Sequence, residues 1–277
     1  MAEFVLTLMA KKGGVGRTMH TQNFAGAFAE QGFRVLAVDL DSQGSLTANF
    51  FGDDLVDRLQ PHETVAALFD DAREPDPNVL IRQTSTPDVY VLPASAHLER
   101  YDLPEPLQHG DRQFALRDFP NDVSEYFDVI LVDTPPNISN LPAWSALMAS
   151  QYVMTPIQPQ KNPMEALIDV NVQVSNAIAH GNPNLTYLGC FVTNFHVRRA
   201  IQKTLELRLR QLYGSQVFNT TLKSRPTFEE APFHYKPVTH YRPKSEAAQL
   251  IRDLLVEVVT RIQASADMMN PPQAVAG

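Results

Sequence analysis

The chain alternates short apolar runs with longer segments whose apolar positions recur at helical spacing. The runs 4–9, 34–39, 88–92, 128–133, 152–157, 187–193 and 216–221 show little strict apolar–polar alternation, the pattern of strands covered on both faces. Between them, 18–31, 45–51, 63–70, 112–126, 140–149, 163–179, 198–213 and 245–263 predict helices. This order predicts an α/β fold: a doubly wound, mostly parallel sheet flanked by helices, with ligand at the carboxyl ends of the strands. No repeat or linker-like stretch divides the 277 residues, so one domain is expected over 1–263, with a flexible tail over 264–277.

The loop after the first apolar run adds chemistry. Residues 11–18 read Lys-Lys-Gly-Gly-Val-Gly-Arg-Thr, with a predicted strand before them and a predicted helix after. Strand, glycine-rich loop and helix make the setting of a phosphate-binding loop. The glycines let successive N–H groups turn inward towards phosphate oxygens, and the helix presents its positive end to the same anion. The candidate nucleotide contacts are therefore Lys12, Gly13, Gly14, Val15, Gly16, Arg17, Thr18 and Met19, with the Thr18 hydroxyl placed to hold Mg²⁺. Two further apolar runs end in acids. Asp39 and Asp41 follow the run from Val35, and two residues apart on a strand they would share a face. Such crowding is costly unless a cation lies nearby. Asp133 ends the run Phe127-Asp-Val-Ile-Leu-Val-Asp.

Together these motifs resemble the deviant Walker A ATPases of the ParA/MinD family, one branch of the P-loop NTPases. The second lysine before the glycines is that family's signature, and Val38-Asp-Leu-Asp-Ser-Gln-Gly44 resembles its switch I, with Ser42 in place of a common proline. Asp133-Thr-Pro-Pro resembles its Walker B and switch II, Tyr152–Gln160 its next strand, and Phe191-Val-Thr-Asn194 the strand whose asparagine reads adenine. The run Glu230-Ala-Pro-Phe-His-Tyr-Lys-Pro, followed by Tyr241-Arg-Pro-Lys-Ser245, is similar to the C-terminal signature of the ParA/Soj branch. The resemblance spans about residues 3–262 and departs at Arg17, where the family has a lysine. It implies ATP and Mg²⁺ as ligands, with Thr18, Asp39 and Asp133 around the metal. It also implies that Lys12 reaches the nucleotide of a partner subunit, that Asp41 positions the attacking water and that Asn194 contacts the base. An arginine's planar fork hydrogen-bonds differently from an ammonium, so Arg17 is expected to impair hydrolysis.

Charge and cysteine narrow the setting. Net charge is −8, but residues 190–245 hold ten Lys/Arg against three Glu, +7, leaving −15 on the rest. A basic patch on an acidic body can hold a phosphate backbone or can simply be a solvated face. The candidate DNA contacts are Arg198, Arg199, Lys203, Lys223, Arg225 and Lys244. The single cysteine, Cys190, lies in an apolar run and reads as a core residue; it also excludes a shared iron–sulfur cluster of the nitrogenase-reductase kind. The eight histidines show no zinc-ligand spacing, and no apolar run approaches 18 residues. No signal-peptide pattern opens the chain, so a cytoplasmic, nucleoid-associated protein is expected.

Three readings follow from the resemblance. The first is a plasmid or chromosome partition ATPase: an ATP-sandwich homodimer that binds DNA without sequence preference and is released by hydrolysis that a ParB-like partner stimulates. A similar engine positions protein cargo such as carboxysomes. The second is a membrane-cycling or regulatory relative of the MinD or flagellar-number kind. It needs a basic amphipathic C-terminal helix, and the 245–263 segment mixes Arg252 and Arg261 with Glu246, Asp253 and Glu257. The third is a hydrolysis-deficient nucleotide-binding module.

Overall fold

The computed structural model describes residues 4–72, 74–123, 125–160 and 163–269. Its strands are β1 (Phe4–Leu8), β2 (Val35–Asp39), β3 (Arg82–Gln83), β4 (Val89–Leu92), β5 (Val129–Asp133), β6 (Tyr152–Ile157) and β7 (Thr186–Val192). They form one sheet in the order β3-β4-β2-β5-β1-β6-β7. Every pairing is parallel except that of β3 with β4. The helices are α1 (Arg17–Glu30), α2 (Ser45–Phe51), α3 (Asp53–Val56), α4 (Pro77–Leu80), α5 (Ala115–Val123), α6 (Leu141–Ala149), α7 (Pro163–His180), α8 (Ala200–Tyr213), α9 (Pro226–Glu230), α10 (Val238–Tyr241) and α11 (Glu246–Met269).

Every residue of β1, β2, β5 and β6 is buried, which explains why their sequences do not alternate. On one face, Phe24 and Phe28 of α1 and Ile251, Leu254 and Val258 of α11 pack with Phe191 and Phe218. On the other, Leu116 and Phe119 of α5 and Leu141 and Ala146 of α6 cover Leu36, Val38, Ile130 and Val132. Helix α1 is buried although much of its sequence is polar, because its polar groups find partners inside. The Gln22 amide donates to the Asn49 carbonyl (2.8 Å), and the Asn23 side chain accepts from Val238 N–H (2.8 Å). Cys190 is buried in β7, and burial pushes its thiol up to about 12, as befits a core residue.

Several expected elements differ. No continuous strand forms over 216–221. Val217 and Lys223 make isolated parallel bridges to Cys190 and Phe195, and the N–H groups of Asn219 and Thr220 donate to the Glu257 carboxylate (2.7 and 3.0 Å) instead of to a strand. The expected helix 63–70 is two 3₁₀ turns, Pro61–Glu63 and Val65–Phe69, broken where the Thr64 hydroxyl caps Ala66 N–H (3.3 Å). The antiparallel edge β3, two residues long, was not anticipated. Helix α11 runs past the expected boundary at 263 to Met269, with Ser265 buried; the remainder of the expected tail, 270–277, lies outside the described residues.

Candidate nucleotide site

The site lies where β1, β2 and β5 end together. Leu8 pairs with Asp133 and Asp133 with Asp39, which puts both carboxylates beside the loop that follows β1. That loop needs left-handed backbone at Gly14 (φ 74°) and Gly16 (φ 86°), which glycine supplies without a Cβ clash. Gly16 caps α1 without any side-chain hydrogen bond, and the first turn carries no acid. The helix's first N–H groups and its positive end are thus left for an external anion.

Asp133 is fully buried, and neither carboxylate oxygen has a hydrogen-bond partner among the described residues. Burial, aided by neighbouring Asp39, pushes its pKa up to about 8, while Arg17 and the Thr18 hydroxyl pull the other way. Orphaned buried acceptors are rare and costly, and a cation would satisfy them. Of the expected set Thr18, Asp39 and Asp133, the unpartnered Asp133 beside Thr18 fits Mg²⁺. Among the described residues no group of three or more His, Cys, Asp or Glu could hold a metal alone, so most of the ion's ligands would come from phosphate and water.

Asp39 is also fully buried, and here the structure refines the expectation. Its Oδ2 accepts from Thr47 N–H (2.9 Å) and the Thr47 hydroxyl (2.8 Å), and its Oδ1 from Asp41 N–H (3.2 Å). Burial raises its pKa to about 6 against these bonds. Asp39 is thus already engaged in shaping the turn into α2. β2 ends at Asp39, but Leu40 N–H still donates to the Asp133 carbonyl (2.9 Å), and the Asp41 charge acts on both Asp39 and Asp133. Half-buried Asp41 accepts from Gln43 N–H (3.1 Å). It lines a groove of about 170 Å³ with Ser42, Gln43, Pro135, Pro136 and Asn137, where the two switch-like loops meet.

Arg17 is buried and folds back on its own loop. Nη1 donates to the Ala10 carbonyl and, at 3.5 Å, to that of Lys12, while Nε has no partner. Burial lowers its pKa, and Asp133 and Asp41 offset part of that. Lys12 is exposed and touches Gln160 Oε1 at 3.3 Å, whereas Lys11 pairs with Asp169 of α7 (2.8 Å).

A second cleft of about 170 Å³ opens beside the loop. Gly14, Val15, Gly16, Met19, Gln158 and Asn194 line it. Asn194 follows β7 in left-handed backbone (φ 48°), a conformation that asparagine tolerates. Gln158 was missed as a site residue; its amide donates to the Gly14 carbonyl (2.7 Å), and its only sequence signal was its place just after an apolar run.

The expected DNA contacts separate into two groups. Arg198, Arg199, Lys203 and Lys244 are exposed and in no ion pair, among the described residues. Lys223 and Arg225 instead line the second cleft and pair with Glu246, at 3.4 and 2.6 Å. Glu246 opens α11 and offsets part of their positive charge, which the other four keep.

A glycine loop feeding an uncapped helix, orphaned Asp133 and an adjoining cleft define a P-loop nucleotide-binding protein. A family model described as AAA domain matches residues 4–187. The chromosome-partitioning ATPase Soj of Thermus thermophilus is 32% identical over 260 residues, 93% of this chain and 96% of that protein. Among solved structures, cobyrinic acid a,c-diamide synthase of Mycobacterium smegmatis with bound ADP and magnesium is 26% identical with a TM-score of 0.71, covering 85% of this chain and 91% of that one. A putative plasmid partition protein of Borrelia burgdorferi bound to AMPPNP is 19% identical, shares the fold with a TM-score of 0.77, and covers 93% and 99%. The chain belongs to the ParA/Soj family of partition ATPases.

Proposed function

We propose that this protein is an ATP-driven DNA-partition ATPase. Its ATP form is a sandwich homodimer that lies on DNA without reading sequence, and hydrolysis, stimulated by a ParB-like partner, dissolves it. The observation that carries the reading is buried Asp133, with two unsatisfied oxygens beside Thr18 and the uncapped start of α1. Bound Mg²⁺ would neutralise charge on the phosphates during transfer. The chain's own residues do the rest. Backbone N–H groups of Gly13–Gly16 hold phosphate oxygens, Asn194 and Met19 bound the base, and Asp41, half-buried between the switch-like loops, orients water.

Helix α11 favours this reading over a membrane-cycling one. Arg252 pairs with Glu30 of α1 (2.8 Å), and Arg261 donates to the Leu188 and Val217 carbonyls (2.7 and 3.1 Å). Its arginines are spent on the body, and no helix of the described residues is long and apolar enough to cross a membrane. The test is retention on DNA-coated and liposome surfaces with ATP, ADP or no nucleotide. ATP-dependent retention on DNA is expected; retention on liposomes alone would overturn the proposal.

Exposed Lys12, whose one hydrogen bond among the described residues is to Gln160, can reach a facing subunit. Lys12→Ala should bind ATP about as well as the wild type yet stay monomeric by sedimentation, because like-charged triphosphates then face each other unscreened. Asp41→Ala should accumulate the ATP dimer. Wild-type dimerisation of Lys12→Ala would end the cross-subunit role.

Arg17 should limit turnover, since its guanidinium is tied to the loop carbonyls of Ala10 and Lys12. Arg17→Lys is expected to raise the single-turnover hydrolysis rate about tenfold, ~1.4 kcal/mol of transition-state stabilisation. An unchanged rate would mean that the site has adapted to arginine.

A further inference from the structure

His20 is fully buried in the second turn of α1 and is not among the expected site residues. Its Nε2 lies 2.6 Å from Thr193 Oγ1, a bond across 173 residues of sequence. The ring sits edge-on to Phe191 (5.1 Å between centroids) and Phe228 (6.3 Å). A Cβ on Gly16 would come within 3.2 Å of the same Nε2, so phosphate loop and imidazole approach as closely as a glycine permits. Gly16, Thr193 and Phe228 all line the base-side cleft, and His20 touches each from behind.

We propose that His20 is a positioning residue that fastens the base-reading loop to the phosphate loop, so that affinity and selectivity for the base depend on one buried hydrogen bond while the loop itself holds the phosphates. The inference rests on the nucleotide-site reading above. Two observations point to a positioning role. Thr193 directly precedes Asn194, and both line the same cleft. Thr193 N–H is tied to the Ile157 carbonyl (2.8 Å), and its hydroxyl is tied to His20. In addition, His20 Nδ1 has no partner among the described residues. A buried polar atom without a partner is a burden on stability that an apolar ring of similar size would remove, so the imidazole here is retained for its bond to Thr193.

The test compares His20→Phe, Thr193→Val, the double variant and His20→Gln by calorimetric titration with ATP, GTP and inorganic tripolyphosphate, with melting temperature as control. His20→Phe keeps the ring packing and removes the unpartnered Nδ1 but leaves the Thr193 hydroxyl unpaired, so its melting temperature should stay within roughly 5 °C of the wild type. Its ATP affinity should fall about tenfold and its preference for ATP over GTP should shrink by a similar factor, the scale of one lost buried hydrogen bond. Tripolyphosphate, which has no base, should bind within about threefold of wild type. Thr193→Val should reproduce these losses from the other side of the bond, and the double variant should lose no more than either single one. His20→Gln, whose amide can reach Thr193, should recover most of the ATP preference. Wild-type ATP and GTP binding in His20→Phe and Thr193→Val, or strictly additive losses, would overturn the clamp while leaving the nucleotide site standing. Should His20→Phe fail to fold, Thr193→Val decides alone. Failure of the wild type to bind ATP or tripolyphosphate would overturn site and clamp together.

Discussion

Asp133→Asn is expected to weaken Mg²⁺-dependent ATP binding by roughly 10- to 100-fold, the usual cost of losing a group that holds a metal's shell, while making the nucleotide-free protein more stable. The second effect follows from burial. The Asp133 carboxyl is pushed up to about 8 in the fold from its ordinary value of 3.8. Between those values the unfolded chain releases this proton and the folded chain keeps it, so stability falls as pH rises through the window. Asp39, raised to about 6, adds to the same fall over the lower part. In EDTA without nucleotide, wild-type melting temperature should therefore decline from about pH 4 to about pH 8. The asparagine variant should lose most of the decline above pH 6 and melt at least ~2 °C higher at pH 8. Scanning calorimetry at pH 5 and 8, paired with ATP titrations with and without Mg²⁺, measures both. Thr18→Ala should share the loss of Mg²⁺ dependence without the gain in stability. Equal ATP affinity of Asp133→Asn with and without Mg²⁺, at the wild-type level, would remove Asp133 from the metal site.

The same burial explains what the sequence makes legible. A strand covered on both faces must be a continuous apolar run, so β1, β2, β5, β6 and β7 stand out, and an acid closing such a run marks a strand end at the ligand edge. Gly14 and Gly16 are legible because few other residues tolerate their backbone. The edges are harder to read. β3 is too short to show a period, and 216–221 has strand composition, but Asn219 and Thr220 give their N–H groups to Glu257, a residue far along the chain. Lys223 and Arg225 carry the charge of a DNA contact; only the fold brings Glu246 to them. His20 gives no sequence signal, because its partner is a threonine just past the end of β7, 173 residues away.

The separation of the basic residues leads to the other large effect. Positive charge in 190–245 looks continuous in sequence, but Arg210 is held by Glu206, Arg225 by Glu246 and Arg242 by Glu230. What remains exposed and unpaired around the start of α8 is Arg198, Arg199 and Lys203. If each contacts one phosphate, an ATP dimer neutralises about six, and the logarithm of affinity should fall against the logarithm of salt with a slope of about −5. Arg198→Glu with Arg199→Glu removes about four of those contacts and adds repulsion, so the slope should drop to about −2 or shallower and retention near 0.1 M salt should fall at least ~100-fold. ATP binding should stay intact, because neither residue lines the base-side cleft. Arg225→Ala should behave the opposite way: Glu246 loses its strongest partner beside the nucleotide, so ATP affinity changes while the salt slope of DNA binding does not. Filter retention over a salt series, with random and palindromic duplexes, distinguishes the two surfaces. A double charge reversal that leaves the slope near −5 would take DNA away from the start of α8, and a slope that collapses in Arg225→Ala would return it to the cleft side.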